Sequence, residues 1–500
     1  MRRHLVTKGS FYERLAGHGD EIVSDDDFAE LYAHGRGRPS VPPSVMVRAL
    51  LCATHDRTSD RETSRRTRVD LDWKAAMGVT DEFEGIAATT FSLFRARLVA
   101  RDGDRRLFEA TLAKAVAAGV LKGKLTAIID SSPVHGAGAV ADTYALIAGF
   151  LGRIVRAAGD TLDPDVAATA APFCGPKPDF DWQDPTARAA HLQELVAAAG
   201  VVLAATRGII DDAVTEPAGF LAQVIGQDLT LDDNGDLAIA DGVARDRVIS
   251  HSDPEMRHGR KSASRRFDGH KLDVLTDEDT ELVLGVAVRA GNAGDGDGAV
   301  PLLADAQALD GIDIDTLLGD MAYSDGEVRE AVEAAGVDLV AKVPPVTNGG
   351  RFPKTSFEID LEAETVTCPA GETTTTAQRT KDHKGRKATV FVFPTEVCAI
   401  CPLREQCTGA IGGRRITVGR HEARIAAARA AQNEPATQAL LRRRSKVERK
   451  IDHLQDLGMR HARYRGRRRT LLQARLAATV ANLKRLAVLD AFADTNPAPI

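Results

Sequence analysis

Nowhere in its 500 residues does the chain contain a run of about 18 apolar residues, the length a membrane-crossing helix needs. Its opening, Met1-Arg-Arg-His-Leu5, has no apolar signal core, so we expect a soluble protein that is not exported. A surplus of positive charge is also missing. Against 65 Lys and Arg stand 71 Asp and Glu, a net charge of −6, which argues against a chain coated in cations for nucleic acid. Cysteine is scarce: there are six, and four of them fall between residues 368 and 407. That uneven placement suits a metal site in a reducing compartment better than a disulfide frame.

The cations that are present are concentrated. Between Leu441 and Arg469 twelve Lys/Arg face three Asp/Glu, a local +9 that leaves the rest of the chain at −15. Such a stretch supplies the phosphate attraction that the chain as a whole lacks. The length predicts about two to four domains, and a hydrophobic content of 43% supports a sizeable core.

Two stretches run apolar residues into an acid and then a turn. In Lys124-Leu-Thr-Ala-Ile-Ile-Asp130-Ser-Ser-Pro133 the segment Leu125 to Ile129 reads as a buried strand ending at Asp130. Asp315-Thr-Leu-Leu-Gly-Asp320-Met-Ala-Tyr323 repeats the pattern, and Arg444-Ser-Lys-Val-Glu448-Arg-Lys450 sets a third acid in a basic helix. Taken singly, Asp130 reads as the opener of a turn. Together, on two strand ends and a helix, the three acids are able to converge as a two-metal site.

On these motifs the chain resembles the DDE transposases of bacterial insertion sequences, in particular the group with a helical N-terminal cap domain. The resemblance spans roughly residues 10 to 490 and is carried by further pieces. These include Gly37-Arg-Pro-Ser40, Ser59-Asp-Arg-Glu62, Leu71-Asp-Trp73, Thr89-Thr-Phe91 with Phe94-Arg-Ala-Arg97, Gly136-Ala-Gly138, Asp142-Thr-Tyr144 and Asn482-Leu-Lys484. It implies an α/β fold: a ribonuclease H-like mixed five-stranded sheet flanked by helices, with an all-α N-terminal domain and a cysteine-rich insertion. The implied layout is 1–120 for end binding and assembly, and 121–343 for the first catalytic part, with a helical insertion at 150–235. The cysteine-rich insertion follows at 344–430, the glutamate helix and C-terminal helix at 431–490, and a tail at 491–500.

The resemblance makes Asp130, Asp320 and Glu448 the catalytic acids, holding two Mg²⁺ ions for strand cleavage and strand transfer at inverted-repeat ends. It makes Lys271 a DNA contact, and the basic stretch adds Arg444, Arg449, Lys450, Arg463, Arg465, Arg467 and Arg468. The family's signature on the glutamate helix is Tyr, Arg, Glu and Lys. This chain keeps Arg444 and Glu448 but has Leu441 and Gln455 at the other two places, positions expected on one helical face. The implied partners are double-stranded DNA, both transposon ends and target, and a second copy in the DNA complex, in the bacterial cytoplasm at the nucleoid. Two rival readings are a nuclease of the same fold and a catalytically silent, transposase-derived DNA-binding protein.

Cys368, Cys398, Cys401 and Cys407 hold one C-x2-C pair with two further thiols set apart, able to close a tetrahedral structural zinc site. The alternative is four unconnected reduced thiols. Cys52 reads as buried in an apolar helix, and Cys174 is assigned nothing. Asp142 reads as a helix N-cap rather than a fourth acid. Asp232-Asp-Asn-Gly-Asp236 lacks the ligand spacing of a calcium loop and reads as a turn. Helices are expected over 187–199 and 202–212, and a strand hairpin over 267–288.

Overall fold

The computed structural model describes residues 6–32, 40–262, 264–382 and 385–492. Most of the Gly37–Ser40 motif and all but two residues of the 491–500 tail lie outside the described residues. The N-terminal region is helical. Side chains at Ser10, Ser59 and Asp70 accept the free N–H groups that open helices Phe11–His18, Asp60–Val69 and Leu71–Met77. Pro43 begins helix Pro43–Asp56, whose residues Val45 to Ala53 are all buried, Cys52 among them. Asp26–Leu31 is a short 3-10 turn, which stacks the buried Phe28 and Leu31 one above the other.

A mixed sheet follows, with strands numbered here in chain order: β1 Lys124–His135, β2 Arg257–Arg260, β3 Arg266–Asp277, β4 Val283–Ala290, β5 Asp313–Gly319 and β6 Asp338–Ala341. Across the sheet the order is β4-β3-β1-β5-β6, antiparallel from β4 to β1 and parallel from β1 to β6. The expected five strands are therefore six. β3 is 12 residues long and β4 only 8, so the start of β3 keeps an open edge, which β2 fills in the register Arg257↔Gly269 to Arg260↔Arg266.

β1 also corrects the reading of Asp130 as a strand end. The strand continues to His135, paired with β3 throughout, whereas its pairing with β5 stops at Ile128↔Leu318. Beyond that point β1 is an edge, where Pro133 is tolerated, until His135 bridges to His461.

Three apolar cores hold the chain. The largest joins the N-terminal helices, the sheet and the C-terminal helix Arg467–Val488. Asn482, fully buried, fastens them: its amide oxygen accepts from Val283 N–H at 2.8 Å, and its nitrogen donates to the Val283 carbonyl at 2.9 Å and Thr111 Oγ1 at 3.1 Å. Truncating it would leave buried backbone groups unpaired, a loss of about 1–3 kcal/mol for each.

The second core belongs to helices Thr143–Ala158, Pro185–Ala205 and Asp212–Asp228. Asp142 caps the first of these by accepting from Ala145 N–H. The helix expected over 202–212 does not form. Gly208, at φ +96°, turns the chain, so 202–205 completes the preceding helix and Asp211 caps the following one. Asp232 accepts from the N–H groups of Asn234 and Asp236 and closes a turn between two short strands. The third core is small, built on Phe357, Val366, Phe391, Phe393, Ile416 and Val418. Among the described residues no helix is long and apolar enough to cross a membrane.

Candidate active site

Register brings the first two acids together. Ile128 pairs with Leu318 on adjacent parallel strands, so Asp130, still within β1, and Asp320, just past the end of β5, stand at the same level, each two residues further on. Neighbouring strands lie about 4.8 Å apart, which puts the two carboxylates side by side. Asp320 begins the turn after β5 and accepts from Ala322 N–H at 2.8 Å.

Glu448 arrives from elsewhere. It lies in the first turn of helix α1, Lys446–Leu454, whose buried face (Val447, Lys450, Ile451 and Leu454) packs on β1 and β3. Arg444, just before α1, lies between the acids, 3.4 Å from Asp130 and 2.8 Å from Glu448. All four residues line one cavity of about 930 Å³, together with Ser131, Lys271, Asp295 and Gln455.

The cavity has a strong electrostatic signature. Burial pushes the Asp130 carboxyl up to about 6; Asp320 and Glu448 push the same way, while the Ser131 N–H and Arg444 oppose. Tyr323, fully buried beneath the acids, has a hydroxyl with no hydrogen-bond partner among the described residues. Burial, reinforced by Asp273, Asp130, Asp295 and Asp320, keeps that phenol protonated far above its ordinary range.

Several sequence-based assignments change here. Lys271 is buried, and its ammonium donates to Asp295 at 2.7 Å and to the Ala293 carbonyl at 2.6 Å. Asp295 also accepts from Ser131 Oγ at 2.6 Å. It is thus a fourth carboxylate of the cavity, in the segment after β4, where the neighbouring residues give no local signal of that role.

Lys450 faces the sheet, because positions 447, 450, 451 and 454 form the packing face of α1. Burial pulls its amine down to about 8 and keeps it out of reach of a phosphate in the cavity. Arg449 pairs with Glu281 at 2.8 Å, and neither it nor Lys450 lines the cavity. Leu441 does not share a face with Glu448 either. The helix breaks between Pro435–Arg443 and Lys446–Leu454, which sends Leu441 into a separate depression beside Pro344. Gln455 does line the cavity, donating to Ser132 Oγ at 2.9 Å and accepting from Arg460 at 2.8 Å.

Much of the downstream basic stretch is neutralised within the fold. Arg463 pairs with Asp60 at 2.6 Å, Arg467 with Glu255 at 2.8 Å and Arg468 with the buried Asp104 at 2.6 Å. Arg465 is exposed.

The four clustered cysteines are free thiols. Cys368, Cys398 and Cys407 pack on the third core. Burial raises the Cys407 thiol, and the other three cysteines add to that rise, with Arg414 opposing. They are neighbours without forming a common ligand shell: among the described residues no three His, Cys, Asp or Glu side chains are grouped so as to hold a metal ion.

Two family models match the chain. One, described as "Transposase DDE domain", matches residues 367–487, and the other, "Transposase domain (DUF772)", matches residues 1–97. Glu448 falls inside the first match; Asp130 and Asp320 lie outside both. No curated protein matches.

Proposed function

Since the chain belongs to the DDE transposases of insertion sequences, whose family implies a polynucleotidyl-transferase type of enzyme and transposition as its function, we propose that it cleaves and joins DNA strands at its element's inverted-repeat ends. The observation that carries this reading is the register that sets Asp130 level with Asp320, with Glu448 above them and a cation, Arg444, drawn in between. The strand order β4-β3-β1-β5-β6, three antiparallel strands followed by two parallel ones, supports a ribonuclease H-like sheet.

DDE transposases generally use Mg²⁺. The donor set fits in kind but not in spacing: carboxylate oxygens suit a hard cation, whereas Arg444 stands between Asp130 and Glu448 and, among the described residues, the three acids are not drawn into one ligand shell. Asp130, Asp320 and Glu448 would hold it, and it would supply an activated water or 3′-hydroxyl and stabilise the leaving 3′-oxygen. The chain's own residues do the rest. The rigid strand pair fixes the two aspartates, Ser131 and Lys271 hold Asp295 beside them, and Arg444 orients Glu448 towards Asp130. Arg444 also offers a fork of N–H donors to a phosphate once the acids are otherwise neutralised.

The layout proposed above carries over with one qualification: the 1–120 helices share a core with the sheet and so move with it. A structural zinc ion on the four cysteines stays a proposal drawn from their spacing in the sequence; they lie near one another around Cys407 but are not gathered into a ligand shell. Duplex DNA is the proposed partner, with two copies of the chain in the complex, in the bacterial cytoplasm at the nucleoid.

The test is incubation of the full chain with labelled duplexes carrying the element's boundary sequences and Mg²⁺. Joined products support the reading. Cleavage without joining indicates a nuclease of the same fold, and binding without cleavage a catalytically silent DNA-binding descendant.

A further inference from the structure

The β2–β3 hairpin ends in a cluster of cations over the same cavity. Arg260, Lys261, Arg265 and Arg266 are all exposed, all line the cavity that holds the three acids, and have no acidic residue among them in sequence from 260 to 266. None of the four side chains makes an ion pair or hydrogen bond with a described residue. The base of the hairpin behaves differently: His258 contacts Asp268 at 2.6 Å and Arg257 pairs with Asp246 at 2.7 Å. The downstream arginines, as described above, are also largely tied to acids.

The hairpin is firmly mounted. Lys261 N–H donates to the Arg265 carbonyl at 2.8 Å to close the turn. Gly259 is packed so tightly on buried Phe267 that a Cβ there would come within 2.2 Å of the ring. The register then sets Arg260 directly opposite Arg266. Like charges directly opposite each other in an antiparallel pair destabilise it. Folding therefore gains nothing from these cations, and a rigid, self-repelling cluster beside an acidic pocket calls for an external anion.

We propose that the tip of this hairpin, through Arg260, Lys261, Arg265 and Arg266, is a phosphate-binding clamp. It would grip the DNA backbone at one end of the cavity while the carboxylates act at the other. This inference rests on the DNA-processing reading and names a contact within it. Arg266 lies eight residues along β3 from Val274, the partner of Asp130. At about 3.3 Å per strand residue that is at most roughly 26 Å. With a base-pair rise of about 3.4 Å, the clamp meets phosphates within roughly eight base pairs of the one being cut.

The experiment compares the full-length wild type with R260Q/R266Q and R260K/R266K, titrated against a mixed-sequence duplex oligonucleotide at several salt concentrations. Each phosphate contact contributes about 0.9 to the log–log slope, so the glutamine variant should bind with a slope shallower by up to about 1.8. The lysine variant should keep the wild-type slope. The glutamine variant's melting temperature should equal or exceed that of wild type, because a repulsion has been removed. Parallel lines for wild type and the glutamine variant would overturn the clamp, as would a lowered melting temperature, which would assign the arginines to structure. Failure of the wild type itself to bind the duplex in a salt-dependent way would instead overturn the DNA-processing reading.

Discussion

Arg444 contacts two candidate metal ligands at once, Asp130 at 3.4 Å and Glu448 at 2.8 Å, although 314 and 4 residues respectively separate it from them in the chain. The guanidinium thus does part of what a divalent ion would do: it lets acids from a strand and a helix share one cavity. Arg444 is itself held where two helices meet, so it fixes the glutamate helix against the sheet.

Asp130→Asn, Asp320→Asn and Glu448→Gln should each remove Mg²⁺-dependent cleavage while leaving duplex binding nearly unchanged. Losing several kcal/mol of transition-state stabilisation corresponds to a rate loss of about a thousandfold or more. Single-turnover cleavage rates and gel-shift affinities measure the two effects separately. A variant that cleaves at near the wild-type rate removes its residue from the site.

Asp130 should leave a pH signature. Its carboxyl stands at about 6 in the folded protein against an ordinary 3.8. Folding therefore favours the protonated form, and stability that is full below about pH 4 is lost as the pH rises through about 6. Two units correspond to about 3 kcal/mol; with the side chain 20% exposed, about 2 kcal/mol is expected. Denaturant unfolding of wild type and Asp130→Asn across this pH range should show wild type losing that much relative to the variant. Mg²⁺ should raise the wild-type melting temperature near pH 7 but not near pH 4, where Asp130 is protonated. Identical pH profiles for the two proteins would rule out the burial of Asp130.

Lys271 should behave as a structural cation. Lys271→Ala strands Asp295 in the cavity with Ser131 as its remaining close partner. Removing one member of a buried pair costs about 3–5 kcal/mol; because Asp295 keeps some access to water, about 2 kcal/mol is expected here. Thermal unfolding reads the loss. If Lys271→Ala lowers DNA affinity with no change in melting temperature, the lysine faces DNA after all.

Elemental analysis of freshly purified, unchelated protein should find about one zinc per chain, and Cys401→Ser should lose it. The same variant should unfold residues near the third core at lower temperature, because structural zinc contributes directly to folding. Zinc-free protein with an unperturbed third core would establish four independent thiols.

Local features of this protein were legible in its sequence wherever side-chain type and spacing alone decide them. Apolar runs ending at Asp130 and Asp320, an acid in a basic helix and a cysteine cluster all follow from side-chain type and spacing. So do the caps at Asp142 and in the Asp232 turn, whose hydrogen bonds reach only two to four residues away. Pairing was not legible. That β1 outruns β5 and places Asp130 within a strand depends on where a partner nearly two hundred residues later stops. Charge was the least legible of all. A lysine or arginine reads alike whether it meets a phosphate or an acid of its own fold, and only the tertiary structure sends Lys271 to Asp295, Arg463 to Asp60 and Arg468 to Asp104. The same structure leaves Arg260, Lys261, Arg265 and Arg266 facing the cavity, because their hairpin projects past the edge of β4, where no acid among the described residues pairs with them.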